Sequence, residues 1–111
     1  MKRQLAAIIV AGLLSANSYA AEYSGWTSIE QISLGWGSKR VNLMLKDEMP
    51  DPLDCSDANS MVQADENAPN LDHILSIALT AHSAGKEVNL VIDDENCSAG
   101  GNIRLLSLLI R

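Results

Sequence analysis

Three stretches of the chain carry clean hydrophobic periodicities. In RVNLMLK, residues 40–46, Val41, Leu43 and Leu45 alternate with Arg40, Asn42, Met44 and Lys46. That two-residue period predicts a strand buried on one face. In EVNLVI, residues 87–92, Val88, Leu90 and Ile92 alternate in the same way with Glu87, Asn89 and Val91. Between them, residues 69–84 follow the helical period. Leu71, Ile74, Leu75, Ala78, Leu79, Ala81 and His82 fall on one side, opposite Asp72, His73, Ser76, Thr80 and Ser83. Pro69 suits the first turn of this helix, Asp72 complements its positive end, and Gly85 followed by Lys86 stops it.

The other segments are less regular. SGWTSIEQISL, residues 24–34, is rich in strand formers, with Ile32 and Leu34 on the same face as Trp36 and Ile29 out of step. That break predicts a bulge or a bend. Gly35-Trp36-Gly37-Ser38 then reads as the turn of a hairpin leading into the strand around Leu43. Residues 47–60, punctuated by Pro50 and Pro52 and dense in Asp, read as a loop, and MVQAD after it as a short third strand. DDENCSAGG is a tight acidic turn. NIRLLSLLIR closes the sequence as a strand apolar on both faces, with Ile103, Leu105 and Leu109 on one and Leu106, Leu108 and Ile110 on the other. Such a strand is either central in a packed sheet or covered from outside, for instance by another subunit.

The resulting order is β-β-β-α-β-β, a mostly β chain with one helix. A helix inserted between the third and fourth of five strands is the order of an OB-fold, a small five-stranded Greek-key barrel. The same elements also suit an α+β sandwich, because order constrains topology without fixing it.

Composition changes this picture at the N-terminus. In MKRQLAAIIVAGLLSANSYA, basic Lys2 and Arg3 precede an apolar run from Leu5 to Leu14 and a small-residue site at Ser18-Tyr19-Ala20. This is the layout of a secretory signal peptide, which predicts cleavage after Ala20 and a single domain over residues 21–111. No other segment has the length of a membrane span. Losing the leader removes two bases and no acid, leaving six Lys and Arg against fourteen Asp and Glu, so the formal charge moves from −6 to −8. Without a basic patch, nucleic acid is set aside as a partner and anionic lipid surfaces are disfavoured. Phe is absent and the only aromatic residues are Tyr19, Tyr23, Trp26 and Trp36. The core must therefore be aliphatic, with Trp26 expected to fill part of it.

Two cysteines, Cys55 and Cys97, remain in the exported chain. In an oxidising compartment they read as one intramolecular disulfide. A zinc site is the weaker reading, because His73 and His82 lack the local spacing to either cysteine that such sites use.

Several of these features together carry a resemblance: the leader, a W-x-x-I hairpin, a cysteine loop, ALTAHSAGKEVNLVI and a second cysteine. This layout resembles the B subunits of bacterial AB-type toxins, of the subtilase-cytotoxin and pertussis-like kind. In those subunits a helix rich in Ala and Leu precedes a Gly-x-x-Val strand, and five copies form a ring that binds host glycans. The resemblance implies an OB-fold, a homo-oligomer and a glycan or protein ligand. It carries over no site residue.

The chemistry legible in the residues points the same way. Nine residues separate His73 from His82, which places them on different stripes of the helix. His82 on the apolar side reads as a core or interface residue with one satisfied nitrogen. No nucleophile–base constellation or cofactor motif is legible, so an enzyme is not expected. The acidic loops lack calcium-loop spacing and read as solvated carriers of the net charge. Trp36, flanked by glycines at the hairpin tip, either packs against the fold or stacks on a sugar or a partner side chain, with Ser38 and Arg40 beside it as hydrogen-bond donors. The expectation is a secreted or periplasmic, non-enzymatic, oligomeric binding subunit. Its alternative is a monomeric periplasmic envelope-accessory or inhibitor protein.

Overall fold

The computed structural model of the chain describes residues 21–35, 37–57 and 59–111; the predicted leader and Trp36 lie outside the described residues. Five strands and a helix follow one another in the expected order: β1 (Ala21–Leu34), β2 (Val41–Leu45), β3 (Met61–Ala64), α1 (Leu71–Ala84), β4 (Glu87–Asp93) and β5 (Ile103–Ile110). The strands close into a barrel in the order β1-β2-β3-β5-β4, with β4 returning to β1. Only β3 and β5 run parallel; the other pairs are antiparallel. A meander of β1, β2 and β3 with β4 laid beside β1 is a Greek key. The barrel is OB-fold-like, not a flat sandwich.

Closure depends on β1, whose fourteen residues serve two neighbours. Ala21 to Ser28 pair with β4, and Ile29 to Leu34 pair with β2. The register slips between Ile29 and Gln31, where the sequence broke its alternation. An extra residue at that point bends the strand, which lets one segment turn the corner between the two halves of the barrel. A second slip falls between Tyr23 and Trp26.

Among the described residues the core is aliphatic apart from Met49. Val41, Leu43 and Leu45 point inward from β2, Val88, Leu90 and Ile92 from β4, and Ile103, Leu105 and Leu108 from β5. Ile74, Ala78 and Ala81 of α1 join the same cluster. The helix begins at Leu71, so Pro69 precedes it and does not form its first turn. Its end is as expected: Gly85 adopts φ 66°, and its N–H and that of Lys86 both return to the Ala81 carbonyl. A side chain at this left-handed position is strained.

Three further expectations are corrected. Trp26 is not a core residue: it is only half-buried, lies opposite Asn89 on the outward face of β4, and has the Arg111 guanidinium 4.3 Å above its ring. Leu109 does not share a face with Ile103 and Leu105. The pairing runs from Val91↔Ser107 to Ile92↔Leu105, so Leu106 is an extra residue that puts Leu108 inside and leaves Leu109 46% exposed. Asn70 donates its side-chain N–H to the Leu106 carbonyl at 3.3 Å, satisfying a group the bulge leaves out of the ladder. On α1, Leu79 and His82 are exposed. His82 still has one satisfied nitrogen, because Nδ1 lies 2.9 Å from the Ile29 carbonyl at the β1 bulge and donates its proton there.

Cys55 and Cys97 are bonded, with Cα atoms 5.6 Å apart. The bond ties the β2–β3 loop to the β4–β5 loop, and the second of these lies over the outward face of β2, β3 and β5. Gln63 is the anchor. It donates to Asn42 Oδ1 at 2.8 Å, and its Oε1 accepts from Ser98 Oγ at 2.7 Å and the Gly100 N–H at 3.2 Å. A Cβ at Gly100 would stand 2.6 Å from Gln63 Oε1, so a side chain there would push the Gln63 amide out of these contacts. Beside it, Arg104 bridges two buried carboxylates. Its Nη1 donates to Asp93 Oδ2 at 3.1 Å, and its Nε lies 3.8 Å from Asp65 Oδ2. Asp65 also accepts the Ala99 and Asn67 N–H groups, and Asp93 those of Glu95 and Asn96. These backbone donors replace the water that burial removes from each carboxylate.

Candidate functional site

The turn between β1 and β2 stands across from the first turn of α1, and a groove of about 320 Å³ opens between them. One wall comes from the hairpin: Leu34, Gly35, Ser38, Lys39, Arg40 and Val41. The other comes from the helix: Leu71, Asp72 and Leu75. A shallower polar recess of about 180 Å³ shares Lys39, Leu71 and Asp72 and continues towards Glu66 and Pro69. Grooves at the mouths of barrels, apolar with a few polar groups at the rim, are common ligand sites.

The local folding explains this composition. Leu34 pairs with Val41 at the end of the β1–β2 ladder, on the inward side, but the barrel has run out there and Leu34 is 59% exposed. The backbone then reverses, with the Gly35 N–H donating to the Arg40 carbonyl at 2.8 Å. Leu71 and Leu75, one turn apart on α1, are only partly buried against the core and face the same gap.

Charge is distributed unevenly around the floor. Arg40 is engaged: its Nε donates to Glu66 Oε1 at 3.2 Å. The backbone N–H of Glu66 itself, and then the Arg40 guanidinium, hold the Glu66 carboxyl below its usual value. Lys39 has no ion-pair partner among the described residues. Asp72 stands opposite, in the first turn of α1. The groove thus presents a free ammonium and a carboxylate on either side of an aliphatic floor. Ser38 carries the only hydroxyl among the described residues lining it, and no histidine or cysteine is among them.

Of the three residues singled out in the sequence, Ser38 and Arg40 line this groove, and Trp36 lies outside the described residues. Sequence reasoning missed Lys39, Leu71, Asp72 and Leu75. The available signal was Leu71 and Leu75 at the very start of the helical stripe, where the barrel is too short to cover both. The acidic loops do meet through the disulfide, yet among the described residues no three metal-competent side chains cluster. Asp51 and Asp93 instead turn their carboxylates onto backbone N–H groups of their own loops. Among the described residues no helix is long and apolar enough to cross a membrane, and the disulfide is compatible with a secreted or periplasmic protein.

No protein-family model matches the chain, and no curated protein matches it.

Proposed function

We propose that this protein is an exported, non-enzymatic binding subunit that self-associates and takes its ligand in the groove between the β1–β2 turn and α1. The observation that carries the reading is the groove itself, where Ser38 and Arg40 meet Leu71, Asp72 and Leu75 around an aliphatic floor. Its lining offers the Ser38 hydroxyl, one uncommitted cation, a carboxylate and apolar contact, the mixture that holds and orients a bound ligand. A glycan or a protein segment is the ligand class, as for the toxin B subunits that the sequence layout resembles. A single open groove of this kind binds weakly, and assembly compensates, because linking sites multiplies affinity by about a hundredfold or more without new contacts.

The test is binding of the mature chain to a glycan array and to a peptide library, repeated with Leu34→Ser/Lys39→Glu. Both positions are exposed, so the melting temperature should hold. Affinity for any captured ligand should fall about tenfold or more. Undiminished binding by the variant would remove the groove from the reading. A wild-type chain that binds neither library would remove the ligand classes.

A further inference from the structure

The chain has two outward sheet faces, and they are treated differently. Over β2, β3 and β5 lies the β4–β5 loop, pinned by the disulfide and by Gln63. On the outward face of the N-terminal half of β1, β4 and the C-terminal half of β5, Tyr23 stands 65% exposed beside Val91, while Trp26, under Arg111, and the 46% exposed Leu109 flank Asn89. Both aromatic residues of the described chain are therefore outside, on one face, and no aromatic ring is in the core among the described residues.

At the edge of this face Arg111 is already fixed. Its guanidinium stacks on Trp26 at 4.3 Å and donates to Glu87 Oε1 through Nη2 at 2.9 Å and Nε at 3.2 Å, while its backbone N–H holds the Glu87 carbonyl at 3.0 Å. Trp, Tyr and Arg are the residues that dominate protein interfaces, and a side chain ordered beforehand loses less entropy on docking.

We infer that this outward face of β1, β4 and β5 is the self-association surface, and that the same face of a second copy of this chain covers it. The inference rests on the self-association proposed above and assigns its location. Charge selects the occupant. The molecule is strongly acidic, so two copies repel wherever acids dominate. Here one acid and one base sit side by side at the rim of an apolar patch, a locally neutral arrangement complementary to itself. Each Arg111 can then meet the Glu87 of the other copy, as an isologous contact requires. A strongly basic or acidic partner would find no match on this face.

Sedimentation velocity of the mature chain, from nanomolar to high micromolar concentration, tests this with Tyr23→Glu and Leu109→Glu. Both side chains are exposed, and thermal melting verifies that each variant still folds. The wild type is expected to assemble, and each variant to dissociate at concentrations about tenfold or more higher than the wild type does. If the wild type assembles and both folded variants assemble equally well, the surface is wrong and self-association stands. If the wild type stays monomeric throughout, self-association fails and the assignment with it. Loss of binding to a different protein, without any self-assembly, would also overturn the second copy as occupant.

Discussion

Arg40 shows how one side chain is divided between fold and site. It lines the groove, yet its guanidinium is turned towards Glu66. The Glu66 carboxyl is lowered first by its own backbone N–H and second by Arg40. A lowered carboxyl keeps its ion pair above the ordinary range and loses it only as pH falls through the lowered value. Following Glu66 by carbon-detected NMR should therefore give a midpoint below that of a free glutamate. In Arg40→Gln the midpoint should rise only part of the way back, since the backbone contribution remains. A midpoint unmoved by the substitution would mean that the pair does not persist in solution. Trp26 teaches a different lesson. With no Phe available, Trp26 looks like core material on size alone, but it sits opposite Asn89, an outward residue of β4. Strand register, not hydrophobicity, decided its fate.

Among the elements, α1 was legible at its stop and along its stripe except at Leu79 and His82, and β5 was the least legible. The apolar stripe, the acid at the start and the glycine at the end each act over a few residues, so they could be read without knowing what surrounds them. Gly85 at φ 66° is the clearest case. Gly85→Ala should cost about 1 kcal/mol, because a Cβ at this left-handed angle crowds the carbonyl, and urea denaturation would show it as a lower midpoint with an unchanged slope. An unchanged midpoint would indicate that the cap relaxes without penalty. For β5, two-sided apolarity concealed the extra residue at Leu106. Both faces were greasy, so the alternation gave no warning that the phase changes. Ile29 in β1 did give warning, because polar residues on either side made its misplacement visible.

At the scale of the whole molecule, stability rests on an aliphatic barrel of modest size and on one covalent tie. Cys55 and Cys97 are separated by 42 positions, and closing a loop of that size restricts the unfolded chain by about 4 kcal/mol in the chain-entropy account. That is a large share of the roughly 5–15 kcal/mol typical of a domain. Cys55→Ser/Cys97→Ser should lower the unfolding free energy by about that amount in equilibrium denaturation. It should also loosen the β4–β5 loop, seen as faster amide exchange at Ser98 and Gly100. A double variant as stable as the wild type would place the cohesion of the two loops in the Gln63 and Arg104 contacts alone.

By itself the sequence determined what is local: the helix and its stop, the inward sets of β2 and β4, the bend at Ile29, the order of elements and the pairing of the only two cysteines outside any reactive setting. These follow from periodicity and backbone preference, which act within a few residues. Tertiary structure alone decided what depends on meeting across the chain. It placed Lys39 opposite Asp72 over the groove, folded the β4–β5 loop onto Gln63, gave Arg104 two carboxylates, and turned Trp26 and Leu109 outward. The reason is geometric: strand closure and register set which side of the barrel each residue faces, and a bulge shows within its own strand only where polar neighbours mark it, as at Ile29 and not at Leu106.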